Sequence, residues 1–181
     1  MTDALDSAVV VITGIMASGK STVAQLLAER LPRSVHVRGD VFRKMIVSGR
    51  QEMDPRASTE AFAQLRLRHR LSAATADLYA DAGWTAIVQD VILGEQLDDL
   101  LSMVRTRPLY LVVLAPRPEA VATRDAARTK TGYGAWTPDL LDQVLRQETP
   151  HRGLWLDSTD QKADETVDAI LADLESARVA T

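Results

Sequence analysis

The sequence predicts an α/β protein built on a five-stranded parallel sheet with helices on both faces. Three observations carry this. Five short apolar runs, at 8–13, 35–37, 85–88, 109–114 and 153–156, alternate with segments whose apolar residues recur at helical spacing. Such alternation favours parallel strands joined by right-handed crossovers. The first run also stops at Thr13-Gly14 and opens into a glycine-bracketed loop from which a helix starts.

That loop is the most informative stretch of the chain. Gly14-Ile15-Met16-Ala17-Ser18-Gly19-Lys20-Ser21 fits G-x-x-x-x-G-K-[ST], the P-loop pattern, and Thr22 continues it into TVAQLLAERL. Gly14 and Gly19 let the backbone bend so that N–H groups point inward at phosphate. The helix N-terminus adds positive partial charge. Lys20 is expected to reach the β- and γ-phosphates of a nucleotide, and the Ser21 hydroxyl to ligate Mg²⁺.

At 181 residues the chain is expected to form one domain, long enough to bury close to 70% of its unfolded surface. It has no Cys, which excludes a disulfide framework and a thiolate metal site and suits a cytoplasmic protein. The start, MTDALDS, lacks the basic-then-apolar layout of a secretory signal. No apolar run approaches the length of a membrane span. A net charge of −4 argues against a general nucleic-acid surface.

Taken in order, the helix after the P-loop has Val23, Leu26, Leu27 and Leu31 on one face, and Pro32 ends it. The second strand runs into Arg38-Gly39-Asp40-Val41-Phe42-Arg43, a polar cluster at a strand's carboxyl end, where open α/β sheets bind ligands. Asp40 reads both as a catalytic carboxylate and as a cap for a helix over 41–46. Residues 48–58 form a polar loop. A long helix follows, from Ser58 or Thr59 to about residue 82, with Phe62, Leu65, Leu71, Ala74 and Leu78 as its apolar face. Arg66 and Arg70 share a face and read as a solvated pair before a ligand clamp; His69 reads as a surface residue.

Gly83 ends that helix. Asp90 follows the third strand, and reads as a carboxylate for Mg²⁺ or acceptor, or as a cap for a helix over 95–104. The fourth strand is an unbroken apolar run, as expected of a strand covered on both faces. A helix over 119–127 carries Arg124, and Arg128-Thr129-Lys130-Thr131-Gly132-Tyr133-Gly134 is basic and Gly-rich, as a lid over phosphates requires. Thr137-Pro138-Asp139 starts a helix to about residue 148, with a cap, Pro in the first turn and an acid. After the fifth strand come the turn Asp157-Ser158-Thr159-Asp160 and an amphipathic helix over 163–177, with Val167, Ile170, Leu171 and Leu174 as its core stripe. Trp84, Trp136 and Trp155 read as packing residues.

Over nearly its whole length the chain resembles the small P-loop kinases, and among them chloramphenicol phosphotransferase, gluconate kinase and adenylylsulfate kinase. The residues that carry this are GIMASGKST, GDVFR after the second strand, the spacing of Arg124 and Arg128, and the ending GLWLDSTDQKADETVDAI. The resemblance implies strand order 2-3-1-4-5, a lid after the fourth strand within 117–138, and an acceptor pocket within about 40–82. It implies that the backbone of residues 14–22, with Arg124 and Thr159, holds ATP. It makes Asp40, which meets the acceptor hydroxyl, the base, and Arg43 the residue that holds the acceptor. It makes Arg124 and Arg128 stabilisers of charge on the transferring phosphoryl group. The acceptor-pocket signatures of gluconate kinase and adenylylsulfate kinase are not intact in this chain.

The expected activity is transfer of the γ-phosphate of ATP, with Mg²⁺, to a hydroxyl of a small molecule such as an antibiotic or sugar-like metabolite, by a monomer or homodimer. Two other readings stand beside it. One is a kinase of nucleosides, nucleotides or polynucleotide 5′-hydroxyls. The other is an ATP-binding switch without an acceptor.

Overall fold

The computed structural model describes residues 3–126 and 136–180. The strands are β1 (Val9–Gly14), β2 (Ser34–Arg38), β3 (Thr85–Gln89), β4 (Leu109–Leu114) and β5 (Leu154–Leu156). The helices are α1 (Lys20–Glu29), α2 (Gly39–Met45), α3 (Thr59–Asp81), α4 (Gln96–Met103), α5 (Pro118–Ala126), α6 (Pro138–Gln143) and α7 (Ala163–Ala172), with a π-helical turn at Val144–Glu148 after α6. All strand pairs are parallel, in the order β2-β3-β1-β4-β5. The P-loop kinase fold expected of the chain is the fold observed. The expected segment Arg128 to Gly134, with Arg128 and Lys130, lies outside the described residues.

The central strands owe their position to composition. Every residue of β1 and β4 is buried. Their side chains alternate between two cores, as the pleat requires. Val9 and Val11 of β1, with Leu109, Leu111 and Val113 of β4, face α3, α4 and α6. Val10 and Ile12, with Tyr110, Val112 and Leu114, face α1 and α7. The register runs from Val9 opposite Ala86 and Leu109 to Gly14 opposite Leu114. This brings the carboxyl ends of β2, β3 and β1 side by side. The β5 strand is short because the chain's last residues take the rest of that edge. Leu111 N donates to Ala177 O at 2.7 Å and Val179 N to Leu109 O at 2.9 Å. Consequently α7 stops at Ala172, earlier than expected, and Ala177 is fully buried beneath the sheet edge.

Several local expectations hold. Val23, Leu27 and Leu31 are buried under α1, and Val167 and Ile170 under α7. Thr137 caps α6, its hydroxyl accepting from Leu140 N at 3.2 Å.

The face of α3 is a correction. The stripe expected to be buried is largely outside: Phe62 is 47% exposed, Leu71 39% and Leu78 70%. Ala74 is exposed as well. The stripe that meets the sheet is Ala73, Ala76 and Ala80, with Ser72 buried beside it. Small side chains let the helix backbone lie close against β2 and β3. The bulky stripe then partly faces α2 and partly faces solvent.

His69 is also corrected, from the surface to the interior. It is 2% exposed, and its Nε2 has no hydrogen-bond partner. Burial disfavours the imidazolium and nearby Arg68 adds to the effect, against a weaker pull from Asp99, so its pKa is lowered to about 4. The unfolded chain therefore binds a proton at His69 between about pH 6.5 and 4 that the folded chain refuses. Stability is expected to fall as pH falls through that window, by at most about 1.4 kcal/mol per pH unit from this group. Urea midpoints at pH 7 and pH 5 check this: His69→Leu should flatten the dependence, and an unchanged slope would assign it to other groups.

Candidate active site

The P-loop is held in shape by its glycines and one strained residue. Gly14 has φ 147°, and a Cβ there would lie 2.5 Å from Leu114 O and 2.8 Å from Ser18 Oγ, so no side chain fits. Ala17 is left-handed at φ 60°, a conformation disfavoured outside glycine and one that clusters at functional sites. No side chain caps the N-terminus of α1 at Gly19. Its first N–H groups are thus available to an anion. Ser18 Oγ is buried without a hydrogen-bond partner. These unsatisfied donors fit a phosphate group. Lys20, 6% exposed, folds back over the loop and donates to Ile15 O at 2.9 Å.

Beside the loop lies a cleft of about 260 Å³ lined by Ala17, Ser18, Gly19, Thr22, Arg124 and Ser158, among others. Arg124 reaches across it from α5. Its guanidinium donates to Ser18 O at 3.4 Å, Ser158 O at 2.7 Å and Thr159 O at 3.2 Å. The structure thus places Arg124 as a tie between the P-loop and the turn after β5. The Thr159 hydroxyl accepts from Arg117 N at 2.7 Å and donates to Asp157 Oδ1. It fixes the turn, so the cleft meets the Thr159 segment through Ser158.

From the P-loop a continuous chain of contacts leads towards β2. Ser21 Oγ donates to Gln89 Oε1 at 3.1 Å, at the end of β3. The next residue, Asp90, is 2% exposed, and Arg68 of α3 grips both of its carboxylate oxygens. Asp90 Oδ1 also accepts from Val91 N at 2.7 Å. Since α4 starts only at Gln96, Asp90 does not cap it. The Gly39 backbone lies directly against this pair: a Cβ there would overlap Asp90 Oδ2 at 1.9 Å. Burial draws Arg68 down to about 10, with the charges of Asp40 and Glu52 opposing and Arg43 assisting. It stays cationic at neutral pH.

Breaking a buried ion pair by removing one charge leaves the other unpaired, typically at about 3–5 kcal/mol. Asp90→Asn is therefore expected to destabilise the fold by that amount in urea denaturation. Joint replacement of Arg68 and Asp90 by Leu should recover most of the loss. A cost below about 1 kcal/mol for Asp90→Asn would show that the pair contributes little.

Asp40 is the second residue of α2, whose cap position is Arg38, so it is not a cap either. Its Oδ1 accepts from Arg43 Nε at 2.8 Å and its Oδ2 pairs with Lys44 Nζ at 2.6 Å. Partial burial favours the neutral acid, but Lys44 and Arg43 outweigh it and hold the carboxyl below the ordinary carboxylate value. Arg43 also donates to Glu52 Oε1 at 2.6 Å and Oε2 at 2.7 Å, closing the 46–53 segment over α2. Between α2, that segment and α3 lies a small pocket of about 40 Å³, with Arg43 and Arg68 in its wall. Arg66 and Arg70 are both exposed and outside its lining.

Sequence reasoning thus brought the P-loop, Asp40, Arg43 and Asp90 to one edge of the sheet, but missed Arg68, Gln89 and Glu52. A signal for Arg68 existed. It is the one cation four residues before Ser72 on the small-residue stripe of α3, and the Ser72 hydroxyl bonds its carbonyl at 3.0 Å.

Comparison with known proteins agrees with this architecture. The family model described as AAA domain matches residues 9–148. A UPF0200 protein of Aeropyrum pernix is 31% identical over 131 residues, 71% of this chain and 68% of the relative. Among solved structures, a sugar kinase from Janibacter sp. superposes with a TM-score of 0.69 at 22% identity, covering 94% of this chain and 95% of that one. The APS kinase of Mycobacterium tuberculosis, in complex with AMPPNP and APS, gives 0.66 at 21% identity over 93% and 97%. Among the described residues no helix is long and apolar enough to cross a membrane. With its glycine-bracketed phosphate loop, its 2-3-1-4-5 sheet and a family match over most of its length, the chain belongs to the AAA domain family.

Proposed function

We propose that the protein is an ATP-dependent phosphotransferase that moves the γ-phosphate to a hydroxyl of a small molecule. The observation that carries this reading is the pairing of an anion-ready P-loop with an ionised Asp40 at the neighbouring edge of the same sheet. A nucleotide switch needs the first and has no use for the second.

The residues fit ATP and Mg²⁺. The loop N–H groups and Lys20 bind the phosphates, and the cleft beside Arg124 takes the rest of the nucleotide. The Ser21 hydroxyl would hold Mg²⁺, whose charge would offset that on the transferring group. A role for Asp90 at the metal, through water, requires that it share its carboxylate between Arg68 and that water. Asp40 orients the acceptor hydroxyl and takes its proton as the oxygen bonds to the γ-phosphorus, while the bond from that phosphorus to the β–γ bridging oxygen breaks and ADP leaves. Arg43 fixes the carboxylate for this task. Arg124 couples nucleotide seating to the turn at Thr159.

ATP consumption against a panel of alcohols, sugars, nucleosides and antibiotics tests the proposal. Acceptor-dependent ADP release is the expected result. ATP binding with no turnover on any acceptor class would favour the switch instead.

A further inference from the structure

We infer that His36 is a positioning residue for the Ser21 hydroxyl: acting through Gln89, it keeps the proton of that hydroxyl turned towards the protein and its lone pairs turned towards a bound cation. This rests on the placement of Mg²⁺ at Ser21 in the reading above, which it deepens. The observation is a row of polar side chains that starts at the exposed Glu29 of α1 and ends at the P-loop.

Each link has a direction that the one before it sets. Gln25 Nε2 donates to Glu29 Oε1 at 2.9 Å, one turn along α1. A carboxylate only accepts, so the nitrogen end of the Gln25 carboxamide must face Glu29, and its oxygen end faces His36. Gln25 Oε1 lies 3.0 Å from His36 Nδ1. An oxygen acceptor at that distance requires a proton on Nδ1. Burial, helped by the charge of Arg38 and opposed by Gln89, lowers the His36 pKa to about 4, so the ring is neutral at neutral pH. Its one proton is then on Nδ1, and Nε2 is a bare acceptor. That Nε2 is buried without a hydrogen-bond partner.

The sheet register shows what stands beside it. His36 of β2 lies opposite Ile87 of β3, and Gln89 follows two residues on, on the same face of the sheet. Gln89 Oε1 accepts from Ser21 Oγ at 3.1 Å, which leaves the Gln89 NH₂ to donate to the orphaned Nε2. The reverse orientation of this carboxamide is disfavoured at both ends. It would set an oxygen against the bare Nε2, acceptor against acceptor. It would also make Ser21 Oγ accept a hydrogen bond, which uses a lone pair and leaves the hydroxyl proton aimed at the cation. Glu29 thus sets the polarity of a chain whose far end is the metal ligand.

Electron paramagnetic resonance of Mn²⁺, as a probe for the Mg²⁺ site, tests this on the full chain with ADP and without turnover. His36→Phe fills the same space with neither nitrogen. His36→Asn supplies a donor near Nδ1 and no acceptor at Nε2. Both are expected to weaken Mn²⁺ binding to the ADP complex by about tenfold, the size of losing a partner behind a metal ligand, and to leave ADP affinity in EDTA unchanged by calorimetry. His36→Gln, whose carboxamide oxygen can reach the place of Nε2, should restore Mn²⁺ affinity. Because His36 acts through Gln89, adding His36→Phe to Gln89→Met should cost nothing further. Equal Mn²⁺ affinity in wild type, His36→Phe and His36→Asn would overturn the inference, as would an additive double variant. A parallel loss of ADP affinity in EDTA would make His36 a structural residue only and overturn it too. Where His36→Phe fails to fold, the contrast between His36→Asn and His36→Gln decides. The expected Mn²⁺ pattern with no acceptor-dependent ADP release would uphold the inference and sink the phosphotransferase reading. Acceptor-dependent ADP release with Mn²⁺ affinity unchanged across the variants would do the reverse.

Discussion

Lys20→Ala is expected to lower ATP turnover by about 10²–10³-fold or more, the size of losing one preorganised charge at a site of developing negative charge. In the structure the ammonium lies over the loop with Ile15 O as a partner. The Nζ therefore has a short excursion to make towards phosphate. The substitution leaves the loop's other determinants in place: the close approach of Gly14 to Leu114 O and the uncapped start of α1. Nucleotide affinity by calorimetry and turnover by ADP release separate binding from chemistry. A fall in kcat beyond any rise in KM would put Lys20 on the transition state. Unchanged turnover in a folded Lys20→Ala protein would remove the P-loop from the reaction.

How far the chain could be read from its sequence depended on whether information was local. The strands β1 and β4 were legible because all six residues of each are buried, and a run of β-branched and aliphatic residues has few other homes. The P-loop was legible because its glycines answer local demands, such as the 2.5 Å approach at Gly14. Strand order came from the resemblance and not from the pattern.

The face of α3 was misread for a definite reason. A helix with one alanine stripe and one leucine–phenylalanine stripe offers two apolar faces. Hydrophobic periodicity ranks the bulkier one first, whereas close packing on β2 and β3 selects the smaller. That inversion carried His69 inside and Arg68 to the edge of the site. The partners of Asp90 and Arg124 were illegible for another reason. Arg68 is 22 residues from Asp90, and Ser158 is 34 from Arg124. No local spacing encodes such contacts.

Asp40→Asn is expected to keep ATP affinity and to lose phosphoryl transfer by about 10²–10⁴-fold, the contribution of a positioned general base. Asparagine keeps the size and one acceptor oxygen but cannot take the proton. The environment makes the test sharp. Lys44 and Arg43 hold the Asp40 carboxyl below its ordinary value, so the residue is ionised at neutral pH, and the wild-type rate should decline only when acid reaches that depressed range. The direction follows from linkage: a base with a lowered pKa is competent above that pKa and lost below it. In Asp40→Asn this acid limb should disappear with the rate. Loss of the carboxylate also frees Arg43 and Lys44, so a structural effect must be told apart from a catalytic one. Arg43→Lys serves for this, since it disturbs the pairing with Glu52 while leaving the carboxylate in place. It should raise KM for the acceptor and retain the acid limb. If Asp40→Asn transfers phosphate at the wild-type rate, the base lies elsewhere. Asp90 is then the next carboxylate to test, read together with Arg68, whose side chain grips it.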